Sequence, residues 1–237
     1  MAIPRILILD NSPRRLGSYW FGKWFRRSGA QVSTRHFQAL RRPVSLDRFE
    51  ALVISGSPAS ATEDQAWILK ELELIQQADQ RGMPVLGVCF GSQLLARAYY
   101  GKGAVRPSPQ AEFGWHSVSR TSEQDSLFDD VPQQFTSFQF HTEEVVLQSD
   151  MRLLATSNAV PVQAYRLGSK PIWGTQFHFE VTPQAGRDLL RKTRRVYEPH
   201  GFGCQELLAK ARPSEAAPRL FENFVGSCSE LTLARAG

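Results

Sequence analysis

The stretch from Pro84 to Gly101, PVLGVCFGSQLLARAYYG, decides how this chain is read. Its first half, PVLGVC, is a short apolar run that reads as a buried strand. From Gly91 to Tyr100 the pattern turns helical. Cys89 stands at the join, between Gly87 and Gly91, in the form G-x-C-x-G. A strand turning directly into a helix raises the residue at the turn, and small residues two before and two after avoid clashes. The Cys89 side chain then sits near a helix N-terminus, whose partial positive charge favours thiolate, the reactive form. The backbone N–H of Phe90 is placed to face an oxyanion. A free cysteine at a strand end is also ordinary core filling, so this motif alone leaves both readings open.

Working outward, RILILD closes on Asp10 as a buried parallel strand, and ALVISGS runs from a second such strand into a glycine turn. Between them, Leu16, Trp20, Phe21, Trp24 and Phe25 fall at helical spacing, Gly29 stops the helix, and QVSTRHF alternates like a strand. From Glu63 to Arg81, Trp67, Ile68, Leu72 and Ile75 share one helical face. Strands alternating with helices over the first hundred residues predict an α/β fold: an open, mostly parallel sheet flanked by helices. The middle differs. EFGWHSVSR, FTSFQFHTEEVVL, VQAYRL and PIWGTQFHFEV read as strands of an added antiparallel portion. PQAGRDLLRKTRRVYE then reads as a helix capped by Thr182, with Pro183 at its first position. Residues 1–198 read as one catalytic domain. Residues 199–237 read as a C-terminal extension: CQELLAKAR a short helix, PSEAAP a linker, and RLFENFVGSC a terminal helix packing on the same domain.

Composition narrows the class. The 237 residues are 42% hydrophobic and 22% charged, with a formal net charge of +5, as in a water-soluble globular protein. The pairs Arg14-Arg15, Arg26-Arg27 and Arg41-Arg42 and the cluster Arg191 to Arg195 lie far apart and read as solvated helix faces. No coherent basic motif predicts nucleic-acid binding. No apolar run approaches the roughly 18 residues that span a bilayer, so no membrane partner is expected. Three widely spaced cysteines, Cys89, Cys204 and Cys228, form no CxxC pair. That argues against a disulfide framework or a cysteine zinc site and suits a reducing cytoplasm.

A thiolate nucleophile needs a base and a group that orients the base. GTQFHFEVTP offers both: His178 and Glu180 stand two apart on an expected strand, so their side chains share one face. The imidazole can take and return a proton while the carboxylate fixes its tautomer. Two residues with no third ligand at useful spacing predict no metal site. His116 beside Trp115 reads as packing, His141 as pocket wall or structure, His36 and His200 as unpartnered, and Cys204 and Cys228 as incidental thiols.

These residues together resemble a known family. GVCFGSQ resembles the G-x-C-x-G-x-Q motif of class I, triad-type glutamine amidotransferases, and FHFE resembles their His-x-Glu. SGSPAS resembles their G-G-P-x-S oxyanion loop, EFGWHSV their segment with glycine before an aromatic residue, SFQFHTEEV their S-H-x-D region, and RLFENFV their closing helix. The matches run in order from Ile6 to about Val225, and the chain looks most like the stand-alone, GMP-synthase-like branch. The resemblance implies a flavodoxin-like fold. It implies Cys89 as nucleophile, His178 as base and acid, and Glu180 as its partner, with Cys89 Sγ in hydrogen-bonding reach of His178. It implies an oxyanion hole at Gly56, Ser57 and Phe90, and a pocket formed by Gln93, Gln139, Phe140 and His141. The implied reaction splits a γ-glutamyl amide through a γ-glutamyl thioester and needs no cofactor.

Two departures touch the pocket: Phe140 replaces a serine and Glu143 an aspartate, while Ser57 replaces a loop glycine. No segment resembles a P-loop or a synthetase module. Three expectations follow. The first is a hydrolase of γ-glutamyl compounds, slightly favoured by the altered pocket. The second is a glutaminase subunit feeding ammonia to a separate synthetase, and the third a non-catalytic binding member.

Overall fold

The computed structural model describes residues 3–40 and 44–236, with side chains as far as Cys228. The expected buried strands are neighbours in one sheet. β1 (Arg5–Asp10) lies between β2 (Gln31–His36) and β3 (Ala51–Ile54), and β4 (Val85–Val88) follows β3, all parallel. β9 (Ile172–Thr175), expected in the antiparallel portion, is instead a fifth parallel strand beside β4, and the antiparallel pairing begins on its other edge. The order β2-β1-β3-β4-β9 is the flavodoxin-like winding. From β9 the same sheet continues antiparallel through β8 (Ala164–Leu167), β7 (Met151–Thr156), β5 (Val105–Arg120) and β6 (Gln134–Val145). The result is one nine-stranded mixed sheet among the described residues. The strand MRLLAT, β7, had no place in the sequence reading; its apolar residues do not alternate strictly.

Alternation splits the parallel strands between two cores. Ile6, Ile8 and Val53 face one side, where α1 (Leu16–Arg27) brings Phe21 and Phe25 and α7 (Ala217–Ala236) brings Leu220, Phe221 and Phe224. Leu7, Leu9, Leu52 and Ile54 face the other side, covered by α2 (Ala66–Gln80) and α3 (Phe90–Tyr100). Within the α1 stripe, Trp20 and Trp24 are only half-buried. The Trp24 ring stacks on Phe221 at 5.2 Å, and Phe25 meets Phe221 edge-on at 4.8 Å. The terminal helix is therefore part of the core that covers β1.

Several local readings need correction. The buried face of α2 holds Ile68 and Ile75 as expected, with Glu71, Leu74 and Ala78 beside them, while the expected Trp67 and Leu72 pack against the same core only partly buried. The expected helix after Thr182 divides at Thr193 into α4 (Pro183–Lys192) and α5 (Arg194–Tyr197), and α6 (Cys204–Ala209) follows. Thr193 Oγ1 donates to Leu189 O, satisfying a carbonyl at the break. The Thr182 cap and Pro183 at the helix start are as expected. Arg14-Arg15 lies in the turn before α1 rather than on a helix face, while Arg41-Arg42 lies outside the described residues. His36 is buried and has a partner, donating from Nε2 to Ser12 O at 2.9 Å. His200 packs against the Phe113 ring at 5.6 Å.

Glu71 is an acid on a buried helix face. Asn11 Nδ2 donates to its Oε2 at 2.9 Å, while Glu71 Oε1 and Asn11 Oδ1 have no partner among the described residues. Burial pushes the Glu71 carboxyl up to about 8, against the opposing Asn11 hydrogen bond. The folded value exceeds the unfolded one, so the folded state holds this proton longer. Stability attributable to Glu71 is therefore present at low pH and falls as pH rises from about 4.5 to about 8. Glu71→Gln removes the charge and offers an N–H to Asn11 Oδ1. Thermal unfolding is expected to show the variant gaining most over wild type near or above pH 8 and little at pH 5. An equal gain at both pH values would show that Glu71 does not titrate across this window.

Candidate active site

The turn after β4 has the shape that the glycines imply. Cys89 takes φ 54 and ψ −110, outside the regions that a residue with a side chain prefers. Its N–H donates to Thr175 O at 2.7 Å, and its carbonyl accepts from Gln93 N at 3.0 Å. The flanking glycines are sterically required: a Cβ on Gly87 would collide with the Gly91 carbonyl, and one on Gly91 with the Ile54 carbonyl. The strand end, the loop after β3 and the start of α3 therefore meet without intervening side chains. Phe90 is the first residue of α3, and its N–H has no intrahelical acceptor.

His178 and Glu180 reach this turn by a route other than the one expected. β9 ends at Thr175, so neither residue is on that strand. His178 instead makes a single bridge to β6, donating its N–H to Phe138 O at 2.8 Å. Phe179 between them turns into the core, its ring 4.7 Å from Phe221 and 6.4 Å from Phe21. That anchor leaves His178 and Glu180 on the opposite side, where His178 Nδ1 donates to Glu180 Oε1 at 2.6 Å. Trp24 Nε1 donates to the Glu180 carbonyl at 3.3 Å. Glu180 is 2% exposed.

Gly56 lies where the two halves meet. A Cβ there would stand 2.8 Å from His178 Cε1, 3.5 Å from Nε2 and 3.6 Å from Cys89 Cβ. Burial by itself lowers the His178 value. The Glu180 carboxylate and then the Cys89 thiol, by charge and by hydrogen bond, outweigh it and raise the imidazole to about 10. The ring therefore carries its second proton at neutral pH. Ser57 follows in the same loop, its hydroxyl accepting from Ala59 N at 3.2 Å. Cys89 Sγ also lies 3.9 Å from Phe140 O.

The remaining expected residues divide between two faces of β6. Phe140 is half-buried and meets Phe113 edge-on at 5.1 Å. Gln139 and His141 point the other way, into a buried network around Glu112. His141 Nε2 lies 3.2 Å from Glu112 Oε2 and Nδ1 3.1 Å from Glu143 O. Gln163 Nε2 donates to Glu112 Oε2 at 2.6 Å, Ser157 Oγ to Glu112 Oε1 at 3.0 Å, and Gln139 Nε2 to Gln163 Oε1 at 2.8 Å. Burial opposes ionisation of Glu112, but its hydrogen bonds and charge partners, His141 first, hold it below the usual glutamate range. Gln93 Nε2 donates to Glu143 O at 3.0 Å and to Gln176 Oε1 at 3.2 Å, and Ser60 Oγ donates to Glu143 Oε1 at 2.7 Å. Glu112, Gln163 and Gln176 escaped the sequence reading because their partners lie across the sheet. Only the polar residue at an inward position of EFGWHS hinted at Glu112.

The other two thiols stand apart. Cys204 is buried at the start of α6, and Cys228 donates to Phe224 O at 3.1 Å, its thiol pushed up to about 12 by burial. No group of three His, Cys, Asp or Glu among the described residues is arranged to hold a metal ion.

The model of the family described as Glutamine amidotransferase class-I matches residues 19–194. The chain belongs to the class I glutamine amidotransferases. Within the family it is of the GMP-synthase-like type. It is 33% identical over 190 residues to a glutamine-hydrolyzing GMP synthase subunit of Thermoplasma acidophilum, covering 79% of this chain and 90% of that one. It is 35% identical over 126 residues to gamma-glutamyl peptidase 4 of Arabidopsis thaliana, covering 52% and 50% respectively. Against the glutamine-hydrolyzing GMP synthase of Cytophaga hutchinsonii it is 30% identical over 159 residues, 66% of this chain but 29% of that one. A glutamine amidotransferase from Thermotoga maritima has the same fold, with a TM-score of 0.78 at 22% identity and 98% coverage of both chains.

The contact at Gly56 is directly testable. In Gly56→Ala the added methyl is expected to push the His178 ring away from Cys89. The His178 ring-proton titration followed by NMR then moves below its wild-type midpoint near 10. An unchanged midpoint in a folded variant would mean that the ring does not pack against this loop.

Proposed function

We propose that this amidotransferase hydrolyses a γ-glutamyl amide, with Cys89, His178 and Glu180 as its catalytic triad. The carrying observation is the convergence of the strained Cys89 turn, the His178–Glu180 pair and the Gly56 loop on one point. Cys89 passes its thiol proton to His178, the sulfur attacks the γ-carbonyl carbon, and the carbonyl electrons move onto oxygen. The N–H groups of Phe90 and Ser57 stabilise that oxyanion, with Gly56 keeping the approach open. The C–N bond then breaks as His178 gives its proton to the departing ammonia or amine. A γ-glutamyl thioester remains on Cys89. Water attacks it, His178 takes the water proton, the C–S bond breaks, and glutamate leaves. Glu180 holds the imidazole in orientation and stabilises its positive charge. No step calls on a cofactor.

The backbone around Gln139, Phe140 and His141 and the side chain of Gln93 shape the glutamyl end. Phe140, whose carbonyl lies 3.9 Å from Cys89 Sγ, brings a half-buried apolar ring where the family has a serine, which supports γ-glutamyl peptides or amine conjugates beside glutamine itself. The relatives named gamma-glutamyl peptidases support the same reading. A second reading has one observation in its favour: the alignment spans 90% of the GMP synthase subunit from Thermoplasma acidophilum. On that reading the chain is a glutaminase subunit whose ammonia passes to a separate synthetase. No described helix is long and apolar enough to cross a membrane, and we place the reaction in the cytoplasm.

Glutamate release from glutamine and from a panel of γ-glutamyl amides separates these readings. The hydrolase reading expects robust turnover by the purified protein alone; the subunit reading expects weak turnover alone and stimulation by a synthetase. Cys89→Ala should lose at least about 10³-fold with every substrate. A glutamine-analogue electrophile should label Cys89 and spare Cys204 and Cys228. Activity of Cys89→Ala equal to wild type would end the proposal.

Glu180 gives a pH test. The protonated His178 is the acid for the leaving group, so its titration sets the alkaline limb of kcat/KM, near 10 in wild type. Glu180→Gln removes the charge that raises it. The limb should move to lower pH, with a loss of about 10²- to 10⁴-fold at the optimum. A limb that stays in place while activity falls would assign Glu180 a purely structural part.

A further inference from the structure

The sheet's β2 edge carries a feature that the triad does not use. Residues 1–50 hold ten Lys or Arg against three Asp or Glu; the other 187 hold eighteen against twenty. The whole formal excess of +5 therefore lies in the first fifth of the chain. The pairs Arg14-Arg15, Arg26-Arg27 and Arg41-Arg42 account for six of these ten cations, and Arg5, Arg35 and Arg48 belong to no pair. The fold brings these three to one concavity.

That concavity is a cavity of about 500 Å³ between β2 and residues 44–49. Parallel pairing places Arg5 beside Gln31 and Leu9 beside Arg35, so Arg5, Gln31, Ser33 and Arg35 project to one face. On that face Leu46 is buried, which fixes its neighbours Ser45 and Arg48 at the rim. Val44 and Phe49, each half-buried, give the cavity apolar surface. Arg5 is neutralised by Glu50 at 2.8 Å, and the nearby Asp47 pairs with Arg81 at 2.9 Å. Arg35 donates to the Thr34 carbonyl, and neither it nor Arg48 meets a carboxylate among the described residues. Two exposed guanidiniums thus share the cavity with an Arg5–Glu50 pair and no balancing anion among the described residues. The guanidinium fork matches phosphate oxygens two at a time.

We propose that this cavity binds a small phosphomonoester, its phosphate between Arg35 and Arg48 and its organic part against Val44 and Phe49. The volume falls within the usual range for small-molecule sites, roughly 300–1,000 Å³. The site is separate from the catalytic turn. Arg5 and Gln31 begin their strands, whereas Cys89 follows the end of β4, and β1 and β3 stand between β2 and β4.

Isothermal titration of the intact chain with phenyl phosphate and with inorganic phosphate, at constant ionic strength, tests this. Saturable binding of both is expected, tighter for phenyl phosphate because the ring covers Phe49. Arg35→Gln and Arg48→Gln should each weaken it at least about tenfold. Both residues are exposed, so the variants should fold, with wild-type melting temperature and unchanged glutamate release in the absence of phosphate. Equal binding in wild type and the double variant would overturn the proposal, as would heats that sulfate or chloride reproduces at the same ionic strength. Retention of the wild type by an acidic protein column with no saturable phosphate binding would assign the arginines to a macromolecular surface and overturn it as well.

Discussion

The structure turns on a backbone that is held where it would not otherwise stay. Cys89 adopts a positive φ as an ordinary L-residue, at an expected cost of about 1–3 kcal/mol. It is held there by the Thr175 carbonyl on the adjacent strand and by two glycines that let three backbones close to contact. The strain is useful because a relaxed strand-to-helix connection would lay the thiol along the sheet. Raised on the turn, it faces the loop after β3 and the middle of β6.

The partner residues depend on packing far from the sulfur. His178 is held by its backbone to Phe138 on β6 and by its neighbour Phe179, whose ring is locked among Phe21 and Phe221. The C-terminal helix thereby reaches the imidazole through one aromatic side chain. β6 does double service: the Phe138 carbonyl fixes His178, and the Phe140 carbonyl lies against Cys89. Its own register is pinned by the buried Glu112–His141 contact, satisfied further by Gln163 and Ser157. A buried carboxylate with so many partners is costly to disturb.

The expectation that His178 and Glu180 share a strand illustrates how a sequence pattern can reach the right pairing by the wrong element. Two residues apart share a face on a strand, but they also do so when the one between is drawn into a core. Phe179 achieves the second. In α2, Ile68 and Ile75 lie on the buried face as their spacing predicts, but an acid, Glu71, takes a fully buried place on that face while Leu72 is only partly covered. Arg35 and Arg48 lie thirteen residues apart with no common pattern, and only the pairing of β2 with β1 and the burial of Leu46 bring them to one cavity.

The sequence by itself determined four of the five parallel strands, β1 to β4, because short runs closed by turn residues leave few alternatives for buried strands; PIWGT reads with the antiparallel portion, and only its pairing with β4 makes β9 parallel. It also determined the thiol turn, since glycines two residues either side of a cysteine record a steric demand that is local in the chain. The Thr182 cap and Pro183 start were legible for the same reason. Tertiary structure alone decided the Phe138 bridge, the Glu112 network, the Gly56 contact and the basic cavity. Each joins residues whose separation in sequence carries no period, and hydrogen bonds, charge and close packing act across space rather than along the chain.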